Sequence, residues 1–242
     1  MIVTSFLVEC TSMSDEQQDL IRQQREMFSR NRPTISDREQ EVLRDAHVLI
    51  CGLGGLGGPV AEQLTRAGVG HLRLVDPDFF EPTNLNRQLG ALHATLGRNK
   101  AEVMAERAQA INPECRVQAI AGDFRDTESL DGMDVAADCL DDGPARLELA
   151  RQCAEKKIPL VHGAAQGWYG QAGVVLPGDT RYEKLYGQKQ KAREPISVLA
   201  PAVFAIAAIQ AALIIKLLLN RACQLEEKWL YIDLLEDDFT CL

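Results

Sequence analysis

The sequence predicts an α/β protein with a mainly parallel sheet, helices on both faces of that sheet and an N-terminal helical extension. Three observations lead to this prediction. Short apolar runs alternate with amphipathic stretches, a glycine-rich turn follows the first apolar run, and no Ser/Gly/Pro-rich linker divides the 242 residues. Strands that alternate with helices need crossover connections, which make neighbouring strands parallel. We therefore predict a single domain over residues 1–242.

Each element is predicted from its local pattern, in chain order. Residues 14–44 are polar with few apolar positions, which is typical of helices on a surface and gives the predicted extension. A continuous apolar run predicts a buried strand at 47–51. Further strands are predicted from strand-like segments at 71–76, 116–121, 135–139, 160–162 and 173–176. Helices are predicted at 59–67, 99–111, 144–155 and 201–219. Residues 177–200 are predicted to form a crossover loop.

Composition and charge narrow the class of protein. With 26 Lys+Arg against 35 Asp+Glu the formal net charge is −9, which argues against a dedicated nucleic-acid-binding protein. Seven cysteines contain no C-x-x-C pair, so we expect reduced thiols and a cytoplasmic location. The apolar run 201–219 approaches the length of a membrane span, but Gln210 and Lys216 interrupt it. We predict a buried helix there and no membrane association.

A glycine-rich turn lies between the first predicted strand and the helix that follows it. Gly52, Gly54, Gly55 and Gly57 form a G-x-G-x-x-G pattern, which makes the predicted sheet Rossmann-like. Small residues there let the backbone approach a phosphate, and the helix dipole attracts the anion. Asp76 ends the next strand, near the offset of roughly 20 residues at which a carboxylate can bind a ribose. The pattern predicts a nucleotide site, although glycines kept only for tight packing would look the same.

Charged residues downstream help to distinguish ATP from NAD, FAD and S-adenosylmethionine. Arg87 and Lys100 lie one loop beyond Asp76, and cations at that place suit a triphosphate, which carries about two more charges than a dinucleotide's pyrophosphate. The carboxylates Asp138, Asp141 and Asp142 end another strand, and Mg²⁺ prefers such oxygen ligands. Each charge taken singly is equally explained as a solvated loop residue. Their occurrence together at strand ends favours ATP with Mg²⁺.

The complete set of motifs resembles the ThiF/MoeB/HesA family, bacterial relatives of the ubiquitin-activating enzymes. The resemblance runs from about Phe28 to Leu235, nearly the whole chain, and the order of the motifs makes it specific. The motifs are Gly52-x-Gly-Gly-x-Gly57, Val75-Asp-x-Asp78, Thr83-Asn-Leu-x-Arg-Gln88, Gly97-x-x-Lys100, Ile111-Asn-Pro113 and Asp138-Cys-x-Asp141.

The resemblance implies an activity. It implies a homodimeric adenylyltransferase that binds ATP and Mg²⁺ and activates the C-terminal glycine carboxylate of a small ubiquitin-like sulfur carrier, in thiamin, molybdopterin or another sulfur route. By family pattern Asp76 binds the ribose, Asp141 binds the metal, and Arg30 reaches into the partner subunit's site. The implied catalytic residues are Arg87, Lys100, Asp141 and Arg30. The implied nucleotide-binding residues are Gly52, Gly54, Gly55, Gly57, Asp76, Asp78, Asn84, Arg87, Gln88 and Lys100, of which Asn84, Arg87, Gln88 and Lys100 bind the phosphates.

The sequence departs from the family at two places. Many relatives hold a structural zinc with two C-x-x-C pairs, whereas this chain reads Thr180-Arg-Tyr-Glu-Lys184 where the first pair is expected. We therefore predict no zinc. Residues 177–200 contain no cysteine, so no covalent step is expected there and a separate sulfur donor must take over the adenylate.

Two other functions remain open from the sequence. Residues 86–88 and 100–116 also resemble the tRNA threonylcarbamoyladenosine dehydratases, although a net charge of −9 argues against an RNA substrate. The other alternative is a NAD-dependent oxidoreductase or a nucleotide-binding module without chemistry. Asp142 stands where relatives commonly have Asn, which leaves room for a module of that kind.

Overall fold

A computed structural model describes residues 26–187 and 197–242. Its contacts divide the chain into a small unit, residues 1–36, and a large unit, residues 37–242. In the described part of the small unit, Ser29–Asn31 forms a short 3₁₀ turn that contains Arg30. We predicted one domain over 1–242, whereas the contacts separate residues 1–36 from the rest of the chain, just before the helix that begins at Asp37.

Helices and strands alternate through most of the large unit. Its helices are α1 (Asp37–Asp45), α2 (Gly57–Ala67), α3 (Lys100–Ile111), α4 (Gly143–Lys156), α5 (Arg181–Tyr186) and α6 (Ala200–Leu218). Its strands are β1 (His47–Cys51), β2 (His71–Val75), β3 (Arg116–Ile120), β4 (Val135–Asp138), β5 (Leu160–Gln166), β6 (Tyr169–Val175), β7 (Leu230–Asp233) and β8 (Asp238–Cys241).

The eight described strands form one mixed sheet in the order β3-β2-β1-β4-β5-β6-β7-β8. The first five strands in this order, β3-β2-β1-β4-β5, are parallel to their neighbours. The pairs β5–β6, β6–β7 and β7–β8 are antiparallel. The parallel half was predicted. The chain leaves β1 towards β2 on one side and returns to β4 on the other, so the strand order reverses at β1, where open parallel sheets form their binding crevices.

Different helices cover the two faces of the sheet, as predicted. On one face Leu49 and Leu160 pack with Leu149 of α4 and with Tyr182 of α5. On the other face lie α2, α3 and α6, and α6 is so close that a Cβ on Gly170 would sit 2.4 Å from Ile206. The large unit thus has the two-sided packing of an α/β domain.

Helix α6 is long and apolar enough to cross a membrane, but half of its most apolar window is buried inside the fold. Gln210, fully buried on α6, donates to the carbonyl oxygens of Asp138 and Val161 at 3.0 and 3.2 Å. A polar side chain bound in this way to two strand ends fixes α6 as a core helix of the sheet.

Several elements in the second half of the chain differ from the prediction. Strand β6 begins at Tyr169, earlier than expected, because it forms an antiparallel hairpin with β5 across Gly167 and Trp168. The predicted loop 177–200 contains the helix α5, and its residues 188–196 lie outside the described part. Strands β7 and β8 were not predicted, and they extend the sheet beyond β6.

Candidate functional site

A cavity of about 980 Å³ opens at the carboxyl ends of β1, β2 and β4. Its size is at the upper end of ordinary ligand pockets, roughly 300–1,000 Å³. It also reaches the sheet surface formed by β5, β6 and β7. Nine of the predicted site residues line it: Gly52, Gly54, Gly55, Asp76, Asp78, Arg87, Gln88, Lys100 and Asp141.

The glycine turn forms one end of this cavity. Gly52 has φ of +87°, and a Cβ there would lie 2.7 Å from the carbonyl oxygen of Cys139, so only glycine fits. The N–H groups of Gly54 and Gly55 donate to none of the described residues. They lie just before the N-terminus of α2, where backbone N–H groups and the helix dipole favour an anion.

Asp76 links the turn to the next strand. Its Oδ2 accepts from the N–H of Leu53 at 2.6 Å and its Oδ1 from the N–H of Asp78 at 2.8 Å. Burial raises the pKa of Asp76, and these two hydrogen bonds oppose that rise. Each carboxylate oxygen keeps a second lone pair, so Asp76 can hold the turn and also accept hydrogen bonds from a ribose.

Lys100 and Arg87 supply positive charge to the same cavity. Lys100 begins α3, is almost buried, and its Nζ lies 2.9 Å from Oδ2 of the exposed Asp78. Asn99 caps α3 and donates to the carbonyl oxygens of Asp76 and Asp78, which fixes the position of Lys100. Arg87 donates to neutral oxygens, the carbonyl of Thr83 and Oδ1 of Asn86, both at 2.9 Å. Both cations therefore face the place where phosphates are expected.

Gln88 provides a test of whether the cavity suits a polar ligand. Its side chain is buried, and its Oε1 has no hydrogen-bond partner among the described residues. A Cβ on Gly54 would lie 3.5 Å from Nε2 of Gln88, so the amide stands directly beside the glycine turn. Because a buried amide that lacks a partner costs free energy, this group is suited to a ligand that hydrogen-bonds to it. The residues that line the cavity therefore fit a nucleoside triphosphate.

The three carboxylates at and after the end of β4, Asp138, Asp141 and Asp142, have different environments. Asp141 is exposed on the cavity wall, as a magnesium ligand requires. Asp142 also lines the cavity but caps α4, accepting from the N–H of Ala145 at 2.9 Å. Asp138 was grouped with them as a possible metal ligand, and that interpretation is wrong. It is fully buried and accepts from Arg146 at 2.6 Å, so it does not line the cavity.

Three predicted residues are not placed on the cavity wall. Asn84 forms a capping box with Glu81 and accepts from its N–H at 3.0 Å, which leaves its phosphate role a prediction. Gly57 closes the turn, since a Cβ there would lie 1.8 Å from the carbonyl oxygen of Gly52. Arg30 belongs to the small unit, and its role also stays a prediction.

Sequence reasoning missed several cavity residues. Asp123 and Arg125 follow β3 and form an ion pair on the wall, and Arg146 of α4 and Tyr186 of α5 lie on another part of it. His162 is completely buried and contacts Asp138 and Arg146, and sequence reasoning did not foresee these contacts. Asp138 ends β4 and Arg146 lies in the first turn of the helix that follows. This short separation is the local signal that could have suggested the Asp138–Arg146 ion pair.

The thiols near the site are held as unreactive neutral groups. Cys51, Cys139 and Cys153 are buried, and burial raises the pKa of each thiol, to about 12 for Cys153. Cys139 borders the cavity and its Sγ lies 3.7 Å from Oε1 of Gln210. Cys10 lies outside the described residues. In the described ranges, no group of three or more His, Cys, Asp or Glu side chains could hold a metal ion.

The comparison with known families agrees with this geometry. The model of the ThiF family matches residues 28–242. The chain belongs to the ThiF family. The matched range includes the glycine turn after β1 and every described strand of the sheet.

Curated relatives fall into two groups. The chain is 41% identical to the tRNA threonylcarbamoyladenosine dehydratase of Haemophilus influenzae over 124 residues, 49% of this chain and 47% of that protein. It thus spans about half the length of that relative. It is 34% identical to the molybdopterin-synthase adenylyltransferase of Escherichia coli over 209 residues, 83% of each chain.

A solved structure of E. coli MccB with ATP superimposes with a TM-score of 0.70 at 25% identity. The match covers 84% of this chain and 65% of MccB. Similarity to this structure and to the two groups of relatives supports ThiF-family adenylation chemistry. The names of the two groups differ, one being a tRNA-modifying dehydratase and the other a molybdopterin-synthase adenylyltransferase.

Proposed function

We propose that the protein uses ATP to adenylate a carboxylate and releases pyrophosphate. One observation carries this proposal: the glycine turn, Asp76, Arg87 and Lys100 line a single cavity at the point where the strand order reverses. Because a NAD-dependent oxidoreductase has no need of Arg87 and Lys100 beside the turn, this arrangement favours a triphosphate. The MccB structure with ATP supports the same nucleotide.

The residues suit a reaction between two anions. A substrate carboxylate attacks the α-phosphorus, forms the acyl adenylate, and expels pyrophosphate. The nucleophile is already ionised, so no general base is needed. Arg87, Lys100 and the N–H groups of Gly54 and Gly55 are fixed positive groups that reduce the repulsion in the transition state. Asp141 would hold magnesium, which would supply further positive charge beside the phosphates.

The proposed acyl substrate is the C-terminal glycine carboxylate of a small ubiquitin-like sulfur carrier. The molybdopterin-synthase relative, similar over 83% of both chains, supports this choice. The cavity wall on β6 and β7 supports it too, because Tyr169, Gln171 and Tyr231 are polar but uncharged and suit a peptide tail. The sulfur donor is proposed to be a separate protein. We also propose a homodimer in the cytoplasm.

The alternative substrate is a carboxylate on tRNA, as the name of the Haemophilus relative suggests. One observation weighs against it. None of the described cavity residues on β5, β6 and β7 is Lys or Arg. The loop between β7 and β8 carries Glu236 and Asp237, and Asp238 begins β8. An RNA backbone needs cations near its phosphates, so this side of the cavity favours a protein substrate.

Carrier-dependent ATP–pyrophosphate exchange tests the proposal. Candidate carriers are short proteins of the same genome that end in Gly-Gly. Replacing Arg87 or Lys100 by Ala is expected to slow exchange by roughly 10²–10³-fold, the effect of losing one well-placed electrostatic contact, and Asp141→Ala at least as much. Arg98→Ala and Asp131→Ala are matched controls, because both side chains are exposed and lie outside the cavity. Each control should keep exchange within about twofold of the wild type.

Two results would overturn the proposal. Near-wild-type exchange in all three cavity variants would remove the assigned roles. The second result is exchange that requires tRNA and does not respond to any carrier, together with specific retention of tRNA in filter binding. It would show that the acyl substrate is on tRNA and not on a carrier protein. Calorimetry compares the binding of ATP with Mg²⁺ to the binding of NADH. Tight binding of NADH with no heat from ATP would show that the nucleotide itself is wrongly assigned.

A further inference from the structure

A buried charged group lies directly behind the cavity. Asp138 at the end of β4 and His162 on β5 are opposite one another in the parallel ladder, and both are 0% exposed. Arg146 of α4, 5% exposed, places its Nη1 2.6 Å from Oδ2 of Asp138 and 3.0 Å from the carbonyl oxygen of Gly163. Although burial opposes ionisation, Arg146 and His162 hold the pKa of Asp138 below its usual value. Asp138 and Arg146 therefore form a buried ion pair.

The hydrogen-bond pattern fixes which nitrogen of His162 carries its proton. Nη1 of Arg146 has two hydrogens, and Asp138 and Gly163 accept them. Nδ1 of His162 lies 2.9 Å from Oδ2 of Asp138. Nη1 of Arg146 and the hydroxyl of Tyr182 also lie 3.0 and 3.2 Å from Nδ1, but their hydrogens are donated to Asp138 and Gly163. An unprotonated Nδ1 would therefore bring its lone pair against that of Asp138. The proton is therefore on Nδ1, which donates to Asp138, and Nε2 is an acceptor. Burial lowers the pKa of His162, which keeps the ring in this neutral form.

Helix α5 is attached to this group by two hydroxyls one helical turn apart. Tyr182, buried, donates to Oδ2 of Asp138, and the hydroxyl of Tyr186 lies 3.3 Å from Nε2 of His162, to which it can donate. The guanidinium of Arg146 lies 5.3 Å from the ring centroid of Tyr186. Leu185 and Tyr186 both line the cavity. The buried group thus determines where this part of the wall stands.

We propose that His162 is a positioning residue for Tyr186, and that the side chains of Tyr186 and Leu185 form the wall against which the acyl substrate binds. The chain of contacts runs from Asp138 through Nδ1 and Nε2 of His162 to the Tyr186 hydroxyl. This inference rests on the proposed adenylation, because it assigns one wall of that site.

The acyl substrate, rather than ATP, is assigned to this wall because of its place in the cavity. The glycine turn, Asp76 and Lys100 lie at the ends of β1 and β2, whereas Leu185 and Tyr186 are on α5, over the β4 and β5 side of the sheet. Gln171 and Ala164 of the β5–β6 hairpin line the cavity on that side as well. A change at Tyr186 should therefore affect the acyl substrate and spare the nucleotide.

Kinetics of a matched pair of variants tests this assignment. Tyr186→Phe keeps the ring but removes the hydroxyl that contacts His162. It should raise KM for the carrier about three- to tenfold, the weight of one neutral hydrogen bond, with kcat and KM for ATP within about twofold. Tyr182→Phe makes the same chemical change on the same helix, away from the cavity. It should lower Tm without changing KM for the carrier.

Equal KM changes in both variants would indicate a general loosening of α5 and overturn the inference, as would an unchanged KM in Tyr186→Phe. If wild-type protein shows no exchange with any carrier, the proposed function fails, and the assignment of the acyl substrate to this wall fails with it.

A second measurement needs no substrate. The chain has four histidines, so ¹⁵N spectra of the imidazoles are sparse, and His162→Asn identifies the signals of His162. We expect an Nδ1–H tautomer and an Nε2 resonance that shifts in Tyr186→Phe but not in Tyr182→Phe. An Nε2 resonance that does not respond to Tyr186→Phe would overturn the positioning role, whatever the exchange assay gives.

Discussion

Asp76 has two tasks at one carboxylate. Its contacts with the N–H groups of Leu53 and Asp78 join the glycine turn after β1 to the loop after β2. The same side chain borders the cavity. Because the turn and the carboxylate fix one another, the backbone groups that face the phosphates are preorganised before ATP binds, and this reduces the reorganisation that the reaction requires.

Gly52 should be far less tolerant of a side chain than other glycines with positive φ. Gly52→Ala places a Cβ 2.7 Å from the carbonyl oxygen of Cys139 at φ +87°, whereas Gly178 has φ of +91° and open space around it. Gly178→Ala should therefore cost about 1–2 kcal/mol from the left-handed backbone alone. Gly52→Ala should cost about 3 kcal/mol or more and weaken ATP binding, because the carbonyl must also move. Urea unfolding and calorimetry measure both effects. Equal losses of stability would contradict the steric argument.

Local pattern explains which site residues were predictable. Gly52, Asp76 and Lys100 each follow or begin a predicted element, so sequence spacing alone brings them to one edge of the sheet. The buried group of Asp138, Arg146, His162 and Tyr182 has no such local pattern, because it requires the register of β4 against β5 and the docking of α5. A carboxylate at a strand end was therefore mistaken for a metal ligand.

At the scale of elements, α5 stands where the resemblance leads one to expect zinc cysteines in other family members. Arg181, its first residue, connects three parts of the fold. Its Nε lies 2.9 Å from Asp179, its Nη2 lies 2.9 Å from the carbonyl oxygen of Val174, and its guanidinium lies 5.1 Å from the ring centroid of Trp229. Nη2 also donates to the carbonyl oxygen of Glu226 at 2.5 Å. These contacts join α5 to β6 and to the segment before β7, as a structural cross-link would.

Arg181→Leu should consequently destabilise the protein by about 2 kcal/mol, because it leaves the Val174 and Glu226 carbonyls without this charged donor. Arg151→Leu is the matched control. Arg151 is exposed and pairs only with neighbouring carboxylates of α4, so its loss should cost less than about 1 kcal/mol. Tm and urea midpoints measure the difference. If Arg181→Leu and the control have the same Tm, Arg181 does not act as a structural cross-link.

The elements that sequence reasoning missed have a common cause. Strand β6 contains Gly170 and Gly173, which shorten its apolar run, and its pairing with β5 depends on a hairpin. Leu230–Asp233 and Asp238–Cys241 are short and polar at alternate positions, so they become strands only through pairing with β6 and with each other. Parallel strands buried on both faces carry their own signal, whereas these outer antiparallel strands depend on their neighbours.

At the scale of the whole molecule, the acidic chain confines its useful positive charge to the cavity. In the described contacts Lys100, Arg125 and Arg146 are each paired with a carboxylate, whereas Arg87 donates to neutral oxygens. In a protein with a net charge of −9, the proposed binding of ATP would therefore depend on this local arrangement rather than on the overall field.

Helix α6 provides the last prediction, which concerns assembly. One side of it is buried in the sheet, and the other exposes Phe204, Ala208 and Ala212 in a row, one turn apart. An exposed apolar row on an acidic protein is suited to a second copy of the chain. The proposed homodimer should therefore sediment at twice the 26.7 kDa chain mass, and Phe204→Glu should shift it to the monomer. Phe239→Glu, on the exposed β8, is the control and should leave the dimer intact. A wild-type monomer at micromolar concentration, or a Phe204→Glu dimer, would show that α6 does not form the interface.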